Sequence, residues 1–409
     1  MLHLGLRWGG ILVAVAMAPG LGCSRDRTAS GSAGPDASPG ATAPRAFRPE
    51  LERADWTARV KQAALAVFAD LDGDGAAELV TVDDEYLRVY RPGGQPLAAR
   101  AVSGGAQVLE AHDVDGDGKA ELLLGLGETV AHRGAKTQML LLRLVGRELS
   151  LESIATPDSE RAEVVALLAL PTKHPWSHVA LGAERQATLL VAHFESRFVV
   201  RLSTASRGEN EWQLMPRASV RMATSIVLGD TDGDGTPEVI VGRVYGDAPN
   251  TDGDAFVLGA DGSRIPIPTT RGVRGLAVVD LDGDGRDDVL LGDGWHSNYG
   301  KLARAQLTVA RRGTDGFRSE TVARFDGQFT LWQLLAADLN GDGAPEVVVR
   351  GSGHVELLSP ALGWQAARVA SEARSVVLAP VKPGEPRPWL VLAARSEQVT
   401  LRVAQGPRR

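Results

Sequence analysis

A nine-residue segment of the form Asp-x-Asp-Gly-Asp-Gly-x-x-acid recurs five times in this chain of 409 residues. The copies occupy 70–78, 113–121, 230–238, 280–288 and 338–346, the last with Asn at its third position. Oxygen side chains therefore stand at positions 1, 3, 5 and 9 of each. They are Asp70, Asp72, Asp74 and Glu78; Asp113, Asp115, Asp117 and Glu121; Asp230, Asp232, Asp234 and Glu238; Asp280, Asp282, Asp284 and Asp288; and Asp338, Asn340, Asp342 and Glu346. A hard cation such as Ca²⁺ takes about six to eight oxygens at roughly 2.3–2.6 Å, and a tight turn of alternating carboxylates supplies most of them. Without a cation, four converging carboxylates repel one another. Polar hairpin turns would account for the Asp-Gly pairs, but not for four ligands at one spacing five times over. The expected cofactor is Ca²⁺, at about five sites.

The flanks decide which kind of calcium module this is. An EF-hand needs a bidentate Glu at position 12 and a helix on either side. Position 12 here is Thr81, Leu124, Val241, Leu291 or Val349. Short apolar runs precede the loops (64–69, 276–279, 334–337), and Leu79-Val80, Val239-Ile240-Val241, Val289-Leu290-Leu291 and Val347-Val348-Val349 follow them. Runs this short and this rich in branched residues read as strands. The unit of strand, acidic loop and strand resembles the FG-GAP or VCBS repeat family, the calcium-loop repeats of integrin alpha-chain N-terminal propellers and of many bacterial surface proteins. The resemblance extends over about residues 61 to 405 and implies a calcium-binding β-propeller.

Spacing completes the count. The first positions are 70, 113, 230, 280 and 338, and the long gap between 113 and 230 holds a copy stripped of its acids. There Val164 to Leu170, a loop over 171–177 and His178 to Leu181 keep the pattern of strand, loop and strand. A second degenerate copy lies at Ser375 to Ala379, a Pro-rich loop, and Trp389 to Ala393. The expected fold is all-β, a seven-bladed β-propeller with calcium loops in five blades, over residues 50–405. Its repeats fall near 61–106, 107–160, 161–220, 221–272, 273–328, 329–372 and 373–405. Blades stacked in a ring bury faces that no blade buries alone. The last repeat offers three strands, and Trp56 to Val60 is expected to supply its outer one.

Ahead of the repeats, Arg7 followed by an apolar stretch from Trp8 to Ala18 reads as a secretory signal within residues 1–22, too short to span a bilayer. Gly20-Leu21-Gly22-Cys23 resembles a bacterial lipoprotein box, which implies lipidation at Cys23. Ser24 after it implies sorting to the outer membrane, with plain secretion as the alternative. Residues 23–49 then form a flexible tether rich in Ala, Gly, Pro and Ser. Cys23 is the chain's one Cys, which removes any disulfide framework or thiolate metal cluster. With 44 Lys and Arg against 51 Asp and Glu, the chain carries −7 and offers no case for nucleic acid.

Successive strands alternate direction, so loops joining the first and second strands of each blade share one rim, and loops joining the second and third share the other. The second set is longest at 127–136, 243–254 and 293–300, and such loops are where binding commonly resides. Trp295, His296, Asn298 and Tyr299 form the densest aromatic and polar cluster. With His132, Arg133, Arg243 and Tyr245 they are candidates for holding a glycan or a peptide, or for pinning their own loops. His174 and His178 read as a surface turn, and Asp252-Gly-Asp254 as a turn rather than a sixth site. No Gly-x-Ser-x-Gly elbow occurs. The expected function is a non-enzymatic, calcium-stabilised, lipid-anchored envelope module that binds an envelope or extracellular protein or glycan. The alternative is a carbohydrate-active enzyme resembling polysaccharide lyases built on calcium-rich propellers.

Overall fold

The structure is a computed structural model. It describes residues 51–53 and 65–403, apart from 84, 93, 130–131, 158–161, 178–187, 209–210, 247–252, 270–271, 294–304, 326–330, 352–353, 371–374, 380–388 and 394–397. Cys23, the signal and tether segments, His178 and the quartet Trp295, His296, Asn298 and Tyr299 lie outside the described residues.

A short strand β1 (Leu51–Arg53) comes first. The next four strands, β2 (Leu65–Ala69), β3 (Glu78–Val82), β4 (Tyr86–Tyr90) and β5 (Pro96–Ala101), make sheet 1. Sheet 2 holds β6 (Gly105–His112), β7 (Glu121–Gly127), β8 (Gln138–Val145) and β9 (Glu148–Ala155). Sheet 3 holds β10 (Val164–Leu170), β11 (Thr188–Ser196), β12 (Val199–Arg207) and β13 (Trp212–Arg221). Sheet 4 holds β14 (Ala223–Gly229), β15 (Glu238–Arg243), β16 (Ala255–Leu258) and β17 (Arg264–Ile267). Sheet 5 holds β18 (Val273–Val279), β19 (Asp288–Asp293), β20 (Ala305–Gly313) and β21 (Gly316–Phe325). Sheet 6 holds β22 (Leu331–Ala337), β23 (Glu346–Gly351), β24 (Val355–Ser359) and β25 (Gln365–Ala370). Sheet 7 joins β26 (Ser375–Ala379), β27 (Trp389–Ala393) and β28 (Gln398–Val403) to β1.

All pairings are antiparallel between consecutive strands, except where β1 closes on β28 with Leu51 opposite Val403. The first strand of each sheet lies against the first strand of the next, and β26 meets β2. These inner strands are buried on both faces, as their near-continuous apolar sequences require. An apolar layer fills each gap between neighbouring sheets. Leu109, Leu122 and Leu124 pack with Val80 and Val89 between sheets 1 and 2, and Val377 meets Ala66 and Leu79 between sheets 7 and 1. The arrangement is an all-β propeller.

Polar side chains also tie sheets together. Gln107 on β6 donates through Nε2 to the carbonyls of Glu128 and Ala162 and accepts from the Val164 N–H through Oε1. Gln333 on β22 repeats this toward Val376, accepting its N–H and donating to its carbonyl. Thr224 on β14 donates to the Val273 carbonyl at 2.7 Å.

Two sequence expectations shift. The outer strand of sheet 7 is Leu51–Arg53, whereas Trp56 to Val60 lie outside the described residues. Outer strands are edges washed by solvent, as the exposed positions of β9 and β17 and the absence of any buried residue in β25 illustrate. An apolar run is therefore the wrong signal for one. In sheet 3 the second strand is Thr188–Ser196 rather than 178–181, with Leu170 opposite Thr188. The longer run Leu189 to Phe194 is buried throughout and fills both faces of the strand.

Candidate metal centre

Each acidic loop joins the first and second strands of its sheet, as expected. Strand pairing places Ala69, His112, Gly229, Val279 and Ala337 opposite the position-9 acids Glu78, Glu121, Glu238, Asp288 and Glu346. The ninth residue is therefore a strand residue beneath the loop. Glu78 and Glu346 are 1% exposed, Glu121 3% and Asp288 6%.

The loop backbone wraps the acids. The N–H groups of positions 4 and 6 donate to the position-1 carboxylate at 2.6–3.0 Å in all five copies. The position-7 N–H donates to the position-5 carboxylate at 2.7–2.9 Å. The position-2 N–H donates to the position-9 acid, for example Leu71 to Glu78 Oε2 at 2.9 Å. Both glycines of every loop are left-handed, with φ between 73° and 92°, a conformation that a side chain makes costly. The Gly-x-Gly spacing thus follows from the backbone the carboxylates require.

Carboxylate oxygens converge in four of the loops. Asp70, Asp72 and Glu78, then Asp113, Asp115 and Glu121, then Asp230, Asp232 and Asp234, and then Asp280, Asp282 and Asp284 each place a ligand atom within 4.8 Å of the others. Two oxygens here are buried and accept no hydrogen bond, Asp115 Oδ1 and Asp288 Oδ2, the second lying 3.4 Å from Arg311 Nε. Orphaned buried carboxylate oxygens are costly unless something positive meets them. Burial, and then the neighbouring Asp side chains, push Glu78, Glu121 and Glu346 up to about 7. Burial pushes Asp288 up to about 6, with Asp282 and Asp284 adding to it and Arg311 opposing. The donor set of hard oxygens around a buried orphan fits Ca²⁺. The fifth loop differs, because the Asn340 Nδ2 amide donates to Asp342 Oδ2 and Glu346 Oε1, spanning the gap between those carboxylates.

Three arginines that the motif does not include also enter the loops. Arg143 on β8 lies 3.4 Å from Asp115 and 3.5 Å from Glu121, and holds Glu152 at 3.1 Å. Arg311 on β20 lies 3.4 Å from both Asp282 and Asp288. Its neighbour Arg312 points to the opposite face and reaches the loop of sheet 4, 3.3 Å from Asp232 and 3.1 Å from Glu238. Each guanidinium bridges positions 3 and 9. The signal that finds them is register. Leu122 pairs with Leu142 and Val289 with Ala310, so the next residue of the third strand faces the position-9 acid.

Neighbouring loops are joined. The Ala120 N–H donates to the Asp70 carbonyl at 2.8 Å, and the Asp287 N–H to the Asp230 carbonyl at 2.7 Å. In both cases position 8 of one loop meets position 1 of the loop before it. Pro237 and Pro345 hold position 8 elsewhere and have no N–H to give.

The opposite rim is described in part. Arg243 is 2% exposed; its Nε and Nη2 hold the Asp254 carboxylate, and its guanidinium lies 5.4 Å from the Phe256 ring. It pins its own loop from inside, so the expectation of Arg243 at a ligand surface is corrected. A strand-terminal arginine with an aspartate eleven residues on closes that loop better than it serves a partner. Asp254 is consumed by this pair, in keeping with a turn. Tyr245 is half-buried, and burial raises its hydroxyl above the usual range. His132 is half-buried in a turn, its N–H donating to the Thr129 carbonyl, and Arg133 beside it is exposed. His132 and Arg133 stand on sheet 2 and Tyr245 on sheet 4, with sheet 3 between them. His174 is buried, with Nδ1 accepting the Trp176 N–H at 3.1 Å and its ring edge-on to Trp176, as part of a folded turn. No helix among the described residues is long and apolar enough to cross a membrane.

Comparison with known proteins agrees with this architecture. Residues 70–124, which span the first two acidic loops, match the FG-GAP-like repeat. Among curated proteins no sequence matches. The fold is similar to that in crystal structures of BBS1N in complex with ARL6DN. In the mercury-soaked structure the identity is 10%, covering 87% of this chain and 98% of that one, with a TM-score of 0.52. In the lead-soaked structure the identity is 10%, covering 88% and 99%, with a TM-score of 0.54.

Proposed function

We propose that this chain is a calcium-stabilised, seven-bladed propeller, exported and lipid-anchored through Cys23 at the bacterial envelope, that binds a protein or glycan without catalysis. The observation that carries the calcium reading is the buried Asp115 Oδ1, a carboxylate oxygen without a hydrogen bond in a loop already wrapped by backbone N–H groups. A loop that needed only to turn would satisfy that oxygen with a protein donor. Asp115, Glu121 and Asp113 would hold one ion, and the matching residues at 70–78, 230–238, 280–288 and 338–346 the others. When bound, the ion supplies charge neutralisation beneath strands that meet at the loops, which is a structural role.

With the acids committed to one rim, the opposite rim remains for a partner. His132 and Arg133 of sheet 2, the quartet 295–299 and Tyr245 are the side chains we assign to that contact. A partner-binding role also suits the fold, since propellers present long loops on a rigid ring.

The test is a pull-down from envelope extract and a glycan array, using the purified full chain with Ca²⁺ and with chelator. Capture of a defined protein or glycan, reduced by substitution of His132 and Arg133, is expected. Cleavage of a polysaccharide by the chain would overturn the non-enzymatic reading. A melting temperature indifferent to both Ca²⁺ and chelator would overturn the calcium reading.

A further inference from the structure

The five acidic loops do not present the same charge. In the loops at 113–121, 230–238 and 280–288, a guanidinium bridges the position-3 and position-9 carboxylates, at 3.1–3.5 Å from each. The register explains the source. The third-strand residue across from the position-9 acid is Arg143 in sheet 2 and Arg311 in sheet 5. In sheet 4 that place is Gly259, which has no side chain, and Arg312 crosses from sheet 5 to fill it. In sheet 6 it is Ser359, and Asn340 has already removed one carboxylate from the loop. In sheet 1 it is Arg91, which is exposed and makes no ion pair with Asp72 or Glu78. Among the described residues, the loop at 70–78 is therefore the one with four carboxylates and no ion pair upon them, Lys119 lying across Gly73 without pairing with an acid.

From this we infer that Arg143, Arg311 and Arg312 set the cation affinity of three loops below that of the loop at 70–78, which is the tightest site. The inference rests on the calcium reading above. A guanidinium and a divalent cation compete for the same oxygens of positions 3 and 9, and a bound ion must either displace the arginine or hold its charge alongside. Arg311 and Arg312 have somewhere to withdraw, since a cavity of about 390 Å³ opens beside them, lined also by Arg318, Asp315 and Glu320. Without a cation, the same arginines hold their loops together. The three countered loops stay formed when calcium is scarce, and the uncountered one depends on it.

The experiment is calorimetric titration of CaCl₂ into the chelator-stripped full chain. Wild type is expected to show one tight site and a weaker class. Asp72→Asn should weaken the tight site, leaving it with the donor set of the loop at 338–346. Arg143→Gln and Arg312→Gln should each convert one weak site into a tight one, by roughly tenfold given the partial exposure of these side chains. Arg143→Lys and Arg312→Lys should leave it weak, because the charge remains; these variants also keep the test valid if a glutamine variant fails to fold. Sites of one affinity, or glutamine variants that bind no more tightly, would overturn the inference while leaving calcium binding in place. An absence of binding in every protein would instead overturn the calcium reading on which it rests.

Discussion

Replacing Glu78 by Gln is expected to stabilise the protein in chelator and to destabilise it in calcium. Glu78 is 1% exposed and shares its loop with Asp70, Asp72 and Asp74. Its carboxyl is pushed from 4.5 up to about 7, first by burial and then by those neighbours. A shift of this size makes the ionised form cost about 3 kcal/mol at pH 8 when no cation is present. Gln removes the charge and keeps an oxygen for the Leu71 N–H. For a domain of this size, the gain in chelator is at most roughly 4 °C in melting temperature, less whatever the new amide N–H₂ loses for want of a partner. In saturating Ca²⁺ the sign reverses, because a ligand carboxylate has become a weaker amide oxygen. The assay is thermal unfolding followed by circular dichroism at pH 8, for wild type and E78Q, with and without Ca²⁺. A variant less stable than wild type in both conditions would refute the reasoning, since Glu78 would then act as a packing or hydrogen-bonding residue with no charge penalty.

Other outcomes follow from the same geometry. In chelator, wild type should melt higher as pH falls from 8 to about 6.5, because the folded chain binds protons at Glu78, Glu121 and Glu346 that the unfolded chain does not. Saturating Ca²⁺ should flatten that rise, and a rise of equal size in both conditions would contradict the assignment. Below about 6.5 the rise should become shallower, since burial holds His112 down to about 4 and also lowers His174 and His193, so that the unfolded chain takes up protons there against those the carboxyls bind; His193→Gln should steepen it. Ala120→Pro removes the N–H that reaches the Asp70 carbonyl, at a position where Pro237 and Pro345 show that proline fits. Its cost should be about 1 kcal/mol, read as a melting shift of one or two degrees. Asp254→Ala should destabilise the fold by about 2 kcal/mol, because it removes the carboxylate that Nε and Nη2 of the buried Arg243 hold, reduced for the partial exposure of Asp254. An unchanged melting temperature would show that Arg243 does not depend on this pair.

The loops were legible because everything that shapes them is local. Nine consecutive residues carry the acids, the two left-handed glycines and the strand-borne ninth residue, so sequence spacing and geometry are nearly the same information. Inner strands were legible for a related reason. Leu122 to Leu126 and Val347 to Val349 are buried on both faces and read as short apolar runs. Outer strands were not, because an edge in solvent imposes no pattern, so Leu51–Arg53 carries no signal that sets it apart from Trp56 to Val60. The degenerate third repeat differs in another way, with the short run 178–181, three of its four residues apolar, marking the place of the longer strand at 188–196.

What the sequence determined by itself is a repeated unit of strand, acidic loop and strand, and from it the propeller, since such units bury their faces only against one another. What tertiary structure decided is the charge around each loop. Arg143 and Arg311 meet the acids through strand register, and Arg312 reaches a loop more than seventy residues away through the packing of sheet 5 on sheet 4. Arg243 turned inward for the same kind of reason, through a loop that brings Asp254 back to it. Chelating carboxylates belong to one short stretch of chain, whereas the cations that oppose them come from strands whose positions exist only once the ring has closed.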